Sequence, residues 1–144
     1  HNEATHDQLI RAFPGIVDEL AALRMEGFEM GVVTSKMHAL AWRGLQVVGA
    51  APYLGCLIGA DDCAKHKPDP APILLGCERM GAQPEECVYV GDSPFDIAAG
   101  NAAGCKTLAV TWGMFPEEEL VVENPTEIIH EVAEFSAAIQ ALSN

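Results

Sequence analysis

Two acids, Asp92 and Asp96, stand just past the apolar run Val88-Tyr89-Val90, separated from it by Gly91, and Ser93-Pro94 between them opens a stretch of small residues. A β-branched run halted by glycine reads as a strand, and Ser-Pro reads as a helix cap and first turn. In an open parallel sheet, ligands bind outside the carboxyl ends of the strands; Asp92 falls in such a turn and Asp96 one helical turn beyond it. The pair suits a hard divalent cation such as Mg²⁺, which takes one or two carboxylates and completes its shell with water and phosphate oxygens. The same acids also admit a structural role, Asp92 as an N-cap and Asp96 as a first-turn acid facing the helix dipole.

Two further polar stations end elements in the same manner. Thr34 and Ser35 close the apolar run that starts at Phe28, and Lys67 stands before Pro68 in a loop from Asp61 to Asp69 that also holds Lys65 and His66. A hydroxyl followed by the free N–H groups of a starting helix binds phosphate oxygens; a lysine neutralises charge spreading over a transferring phosphoryl group; acids hold magnesium. Separately, Thr34 and Ser35 are ordinary caps and Lys67 a solvated loop lysine. Their order and their shared place at strand ends join them into one chemistry.

The elements that must position these groups alternate. Pro14 starts a helix with Ile16, Val17, Leu20 and Leu23 on one face and Gly27 as its stop; Phe28 to Thr34 is a buried strand; Leu40, Ala41, Leu45 and Val48 mark a second helix. A short strand, Cys56 to Ile58, precedes the lysine loop, and Asp69-Pro70 opens a helix that runs to Met80 and stops at Gly81. Thr107 to Val110 is a fourth strand, and a final helix capped by Asn124-Pro125 carries Ile128, Ile129, Val132 and Phe135 on its inner face. Alternating strands and helices predict an α/β fold, a Rossmann-like parallel sheet with helices on both faces joined by right-handed crossovers.

Composition narrows the function classes. The chain has 144 residues and a net charge of −13, from 8 Lys+Arg against 21 Asp+Glu, which speaks against nucleic acid or an anionic membrane as partner. An anionic substrate would need a bound cation and well-placed lysines. The acid run Glu117 to Glu119 reads as a solvated face. Five cysteines form no C-x-x-C pair and read as reduced core residues; Cys63 and His66 resemble half a zinc site, but no second half follows. No apolar run approaches the ~20 residues of a membrane span and no signal-peptide pattern is present, which predicts a cytoplasmic protein.

The stretches Val32-Val33-Thr34-Ser35-Lys36, Lys67-Pro68-Asp69-Pro70 and Val90-Gly91-Asp92-Ser93-Pro94-Phe95-Asp96 resemble, in this order, the second to fourth motifs of the haloacid dehalogenase-like hydrolase superfamily, in its phosphoglycolate phosphatase and pyrophosphatase branch. The resemblance implies that Thr34 hydrogen-bonds the phosphoryl group, beside the Ser35 already read as phosphate-binding, that Lys67 steadies nucleophile and phosphate, that Asp92 ligates Mg²⁺ and that Asp96 supports that metal site. It also implies a cis peptide before Pro68. The family's nucleophile and general acid lie in an Asp-x-Asp-x-Thr stretch ending its first strand, and no such stretch occurs here: Asp61-Asp62 has the wrong spacing and Asp18 lies in a predicted helix.

On this resemblance, residues 1–13 are a cap remnant or hinge, residues 14–144 are the C-terminal portion of the core, and the chain begins partway through a larger protein. The sheet is then incomplete at its N-terminal side, with an apolar slot to be filled by a missing N-terminal segment or a second copy. The expected activity is Mg²⁺-dependent hydrolysis of a small phosphate monoester, phosphoglycolate first, through an aspartyl-phosphate in the intact protein, this chain alone being inactive. The alternatives are a pyrophosphatase, toward which Lys36-Met37 leans, a phosphomutase, or a non-catalytic phosphate-binding module.

Overall fold

The structure is a computed structural model, and it describes residues 15–143. The cap remnant or hinge expected over residues 1–13 lies outside the described residues. Helix α1, Ile16–Met25, leads into strand β1, Gly31–Val33; α2, His38–Val47, is followed by β2, Cys56–Ile58; α3, Ala71–Met80, by β3, Val88–Gly91; and α4, Pro94–Ala103, by β4, Lys106–Val110. Helix α5, Glu117–Val121, precedes β5, Glu127–Ile129, and α6, Phe135–Leu142, closes the order.

All strand pairs are parallel, and helices pack on both faces, as the alternation predicts. On one side of β4, Leu108 and Val110 pack with Ile16 and Leu23 of α1 and Phe135 and Ile139 of α6. On the other, Ile97 of α4 meets Ala109, while Ala99 and Ala103 pack against Ile73 and Cys77 of α3. Helix α4 lies close to the sheet because its face is made of Ala and Gly: a Cβ on Gly100 would stand 2.6 Å from Thr107 Cγ2. Gly81 ends α3 with φ 70°, a left-handed turn that favours glycine. No helix among the described residues is long and apolar enough to cross a membrane.

Two expectations are corrected, the start of the final helix and the length of the first strand. Residues 127–129 are a strand and not the start of a final helix: Leu108, Ala109 and Val110 pair with Glu127, Ile128 and Ile129, and the helix begins only at Phe135. Adjacent β-branched residues suit a pleated edge, and apolar residues at 128, 129, 132 and 135 satisfy helical spacing equally well. The acid run Glu117 to Glu119 is exposed, as a solvated face should be, and forms the first turn of α5, where carboxylates face the positive helix end. The first predicted strand is shorter than Phe28 to Thr34, although the Thr34 N–H still donates to Ile58 O (2.9 Å) and prolongs the ladder by one bond.

The parallel sheet is broken in two. Among the described residues β1 pairs only with β2, and β3, β4 and β5 form a separate sheet in that order. Between β1 and β3 lies a cavity of about 510 Å³, with Val32 and Val33 on one side, Val88 and Val90 on the other, and Leu20 and Leu23 of α1 also facing it. Protein interiors seldom hold voids larger than one water. A space of this size, lined largely by apolar side chains of α1, β1, β3 and α6, is far larger than the gaps a packed core leaves. The slot is strand-shaped in its setting: a sheet edge borders it on each side.

Candidate active site

The loop after β1 carries the first station. Thr34 is buried, and its Oγ1 accepts the Lys36 N–H (3.2 Å), so the hydroxyl turns back over its own loop. Thr34, Ser35 and Lys67 line one small cleft of about 10 Å³, room for roughly one water, together with Gly59, Lys65 and His66. The Lys67-Pro68 peptide is cis, as the resemblance implied.

Lys67 ties this cleft to the second sheet. Its Nζ donates to Asp96 Oδ1 (2.7 Å) and to the Tyr89 hydroxyl (3.3 Å), and sits 5.9 Å from the centroid of the Tyr89 ring. Both partners of the ion pair are buried, each side chain 7% exposed. Burial alone would lower the lysine pKa, but Tyr89 and Asp96 together hold it above its ordinary value. Burial also raises the Tyr89 pKa, leaving the phenol neutral near pH 7, so the charge of Asp96 is what keeps the ammonium protonated.

Asp96 is fixed from three directions. Its Oδ2 accepts the Asp92 N–H (3.3 Å), its Oδ1 takes Lys67, and its own N–H donates to Ser93 Oγ (3.1 Å). Ser93 is therefore the N-cap of α4, which removes the structural role considered for Asp92. Gly91 has to lack a side chain, because a Cβ there would overlap the Asp96 carboxylate.

Asp92 lies next to this pair at 3% exposure, and its Oδ2 has no hydrogen-bond partner among the described residues. Burial first, and the neighbouring Asp96 second, push its carboxyl up to about 7. A buried, unpartnered carboxylate oxygen is costly unless something positive meets it, so the donor set fits a bound cation. Gly113 lies against the same carboxylate, where a Cβ would overlap it. Among the described residues no three His, Cys, Asp or Glu side chains gather into a metal cluster. A cation at Asp92 would draw its remaining ligands from water, phosphate oxygens or backbone carbonyls.

The structure thus brings Thr34, Ser35 and Lys67 to one cleft, and Lys67, Asp96 and Asp92 to one chain of contacts. Asp96 is engaged with Lys67 and the Asp92 amide, so it orients both neighbours. Sequence reasoning missed Tyr89, whose signal was a lone hydroxyl in an apolar strand, and Gly113, which only three-dimensional proximity to Asp92 explains.

The family model for haloacid dehalogenase-like hydrolases matches residues 1–110. Over 140 residues, 97% of this chain and 65% of the relative, the sequence is 34% identical to pyrophosphatase PpaX of Bacillus pumilus. Over 127 residues, 88% of this chain and 50% of the relative, it is 36% identical to phosphoglycolate phosphatase of Escherichia coli K12. The crystal structure of a predicted phosphoglycolate phosphatase from Haemophilus somnus superposes with a TM-score of 0.81 at 28% identity, covering 88% of this chain and 56% of that one. The chain belongs to the haloacid dehalogenase-like hydrolase family. It spans between half and two thirds of the length of these curated relatives.

Proposed function

We propose that the protein to which this chain belongs is a Mg²⁺-dependent phosphatase of small phosphate monoesters, of the phosphoglycolate kind. The observation that carries this reading is Lys67, a buried cation shared between the Thr34-Ser35 cleft and the Asp96-Asp92 carboxylates. In a chain with a net charge of −13 and with Lys67 already paired to Asp96, an anionic group is met by Lys67 together with a cation at Asp92. Thr34 Oγ1 and the Ser35 loop bind phosphoryl oxygens; Lys67 compensates their charge and steadies the attacking carboxylate; Asp92 holds the cation, with Asp96 fixing Lys67 and the Asp92 turn. Bound at Asp92, Mg²⁺ would supply charge neutralisation of the phosphoryl oxygens.

The attacking group is a carboxylate that displaces the ester oxygen from phosphorus, releasing the alcohol and forming an aspartyl-phosphate, which water then cleaves to inorganic phosphate and the free carboxylate. It arrives on a strand that fills the slot between β1 and β3 and ends beside Lys67, supplied by a segment outside the described residues or by a second copy. What supports this placement is that Lys67 lines the cleft at the end of β1 and bonds Asp96 just past the end of β3. The 144-residue chain alone is then inactive. A cytoplasmic setting goes with this reading, since thiols such as those of Cys77 and Cys105 stay reduced there.

A second substrate, pyrophosphate, is favoured by the likeness to PpaX. Phosphate release from phosphoglycolate and from pyrophosphate, measured on the intact protein with and without Mg²⁺, tests the proposal and ranks the substrates. Turnover of neither, or turnover indifferent to Mg²⁺, refutes it. Retained Mg²⁺-dependent phosphate binding without turnover would mark a non-catalytic module.

A further inference from the structure

The loop after β1 is fastened to the loop after β2 by contacts that the phosphoryl chemistry above does not use. The Ala60 N–H donates to Lys36 O (2.7 Å), the His38 N–H donates to Asp61 Oδ1 (2.8 Å), and His38 Nδ1 lies 2.6 Å from Asp62 Oδ2. Asp62 Oδ2 also accepts the Gly59 N–H (2.7 Å), so one carboxylate oxygen joins the end of β2 to the start of α2. The two backbones touch: a Cβ on Gly59 would stand 2.6 Å from His38 N and 2.9 Å from Lys36 O.

These contacts meet a specific need. Helix α2 begins at His38 after Met37 and has no side-chain cap of its own, so Asp61 supplies from another loop the acceptor that a local Ser or Asp would ordinarily provide. Residues 34–37 are thereby held at both ends, by the ladder bond from Thr34 to Ile58 O and by the clasp at His38. Lys67 is held separately, by Asp96 on α4. The distance between the Thr34-Ser35 loop and Lys67 therefore depends on the clasp, and a misplacement near 1 Å costs on the order of 100-fold when a reacting group must be aligned.

We propose that Asp62 and His38 are positioning residues that lock the Thr34-Ser35 loop in register with Lys67 for phosphate binding. This inference rests on the phosphate-handling reading above. Its test uses the intact protein, p-nitrophenyl phosphate turnover and inorganic phosphate as competing inhibitor. His38→Ala and Asp62→Ala should each raise KM and weaken phosphate inhibition about tenfold, and the double variant should add little beyond either. His38→Asn, whose amide nitrogen lies where Nδ1 was, should recover most of the loss. A lowered Tm with unchanged KM and phosphate inhibition would show a structural role only and overturn the inference, as would His38→Asn behaving like His38→Ala. His38 is 43% exposed at its side chain, so the His38 pair decides the matter if Asp62→Ala does not fold. Lys67→Met separates the two levels: if it leaves phosphate inhibition intact, the phosphate reading fails and this inference with it. If it abolishes inhibition while remaining folded by circular dichroism, and His38→Ala is neutral, only the clasp is wrong.

Discussion

Replacing Asp92 by Asn removes a charge that the fold buries at a cost and that a cation would offset. The Asp92 carboxyl is pushed from 3.8 up to about 7 by burial and by Asp96. At 1.36 kcal/mol per pKa unit, the ionised folded form is disfavoured by about 4 kcal/mol relative to the unfolded chain. The sign follows from proton counts: between pH 4 and pH 7 the folded state binds the extra proton, so stability falls as pH rises through that window and levels off above it. Without Mg²⁺, the wild-type protein should lose on the order of 4 kcal/mol across this range through Asp92, and Asp92→Asn should remove that slope while leaving the slopes of other acids. With Mg²⁺ at pH 8, wild type should regain stability and the variant should not, while the variant loses phosphatase activity. Denaturant unfolding of the intact protein at pH 4.5, 6 and 8, with and without Mg²⁺, measures all of this. Equal pH slopes and equal Mg²⁺ responses in the two proteins would refute the assignment of Asp92 as the buried cation ligand.

Other perturbations follow from the same contacts. Lys67→Met removes the buried cation from its ion pair with Asp96 and should destabilise by about 3–5 kcal/mol, with Lys67→Met/Asp96→Asn recovering part of the loss in urea unfolding. Gly113→Ala should displace the Asp92 carboxylate and weaken Mg²⁺ binding by calorimetry, whereas Gly49→Ala, with no heavy atom within 4 Å of its Cβ, should leave Mg²⁺ affinity unchanged despite its strained φ of +83°. Ile129→Ala should cost about 2–5 kcal/mol, because Ile129 is buried in the core beneath α6; a loss under 0.5 kcal/mol would deny that β5 packs there.

Much of the frame was legible because local chemistry and tertiary demand agree. Cys56–Ile58 is bounded by glycine, Gly81 takes the left-handed conformation that its place after Met80 requires, and Ser93-Pro94 caps α4 as the pair predicts. The strand over residues 127–129 was illegible because four apolar positions fit two periodicities, and only the vacant edge of β4 chooses between them. Thr34, Lys67 and Asp92 were found through motif order. The His38-Asp62 clasp joins residues 24 apart with no shared pattern, and the engagement of Asp96 with Lys67 spans 29, so neither contact leaves a local signal.

The crystal structure of the intact protein with Mg²⁺ and a phosphoryl mimic such as tungstate tests the central claim most directly. The expected result is the anion within hydrogen-bond reach of both Thr34 Oγ1 and Lys67 Nζ, the metal on Asp92 Oδ2, and a strand seated between β1 and β3. An anion bound away from Lys67, a metal that ignores Asp92, or a slot closed without a strand would contradict it.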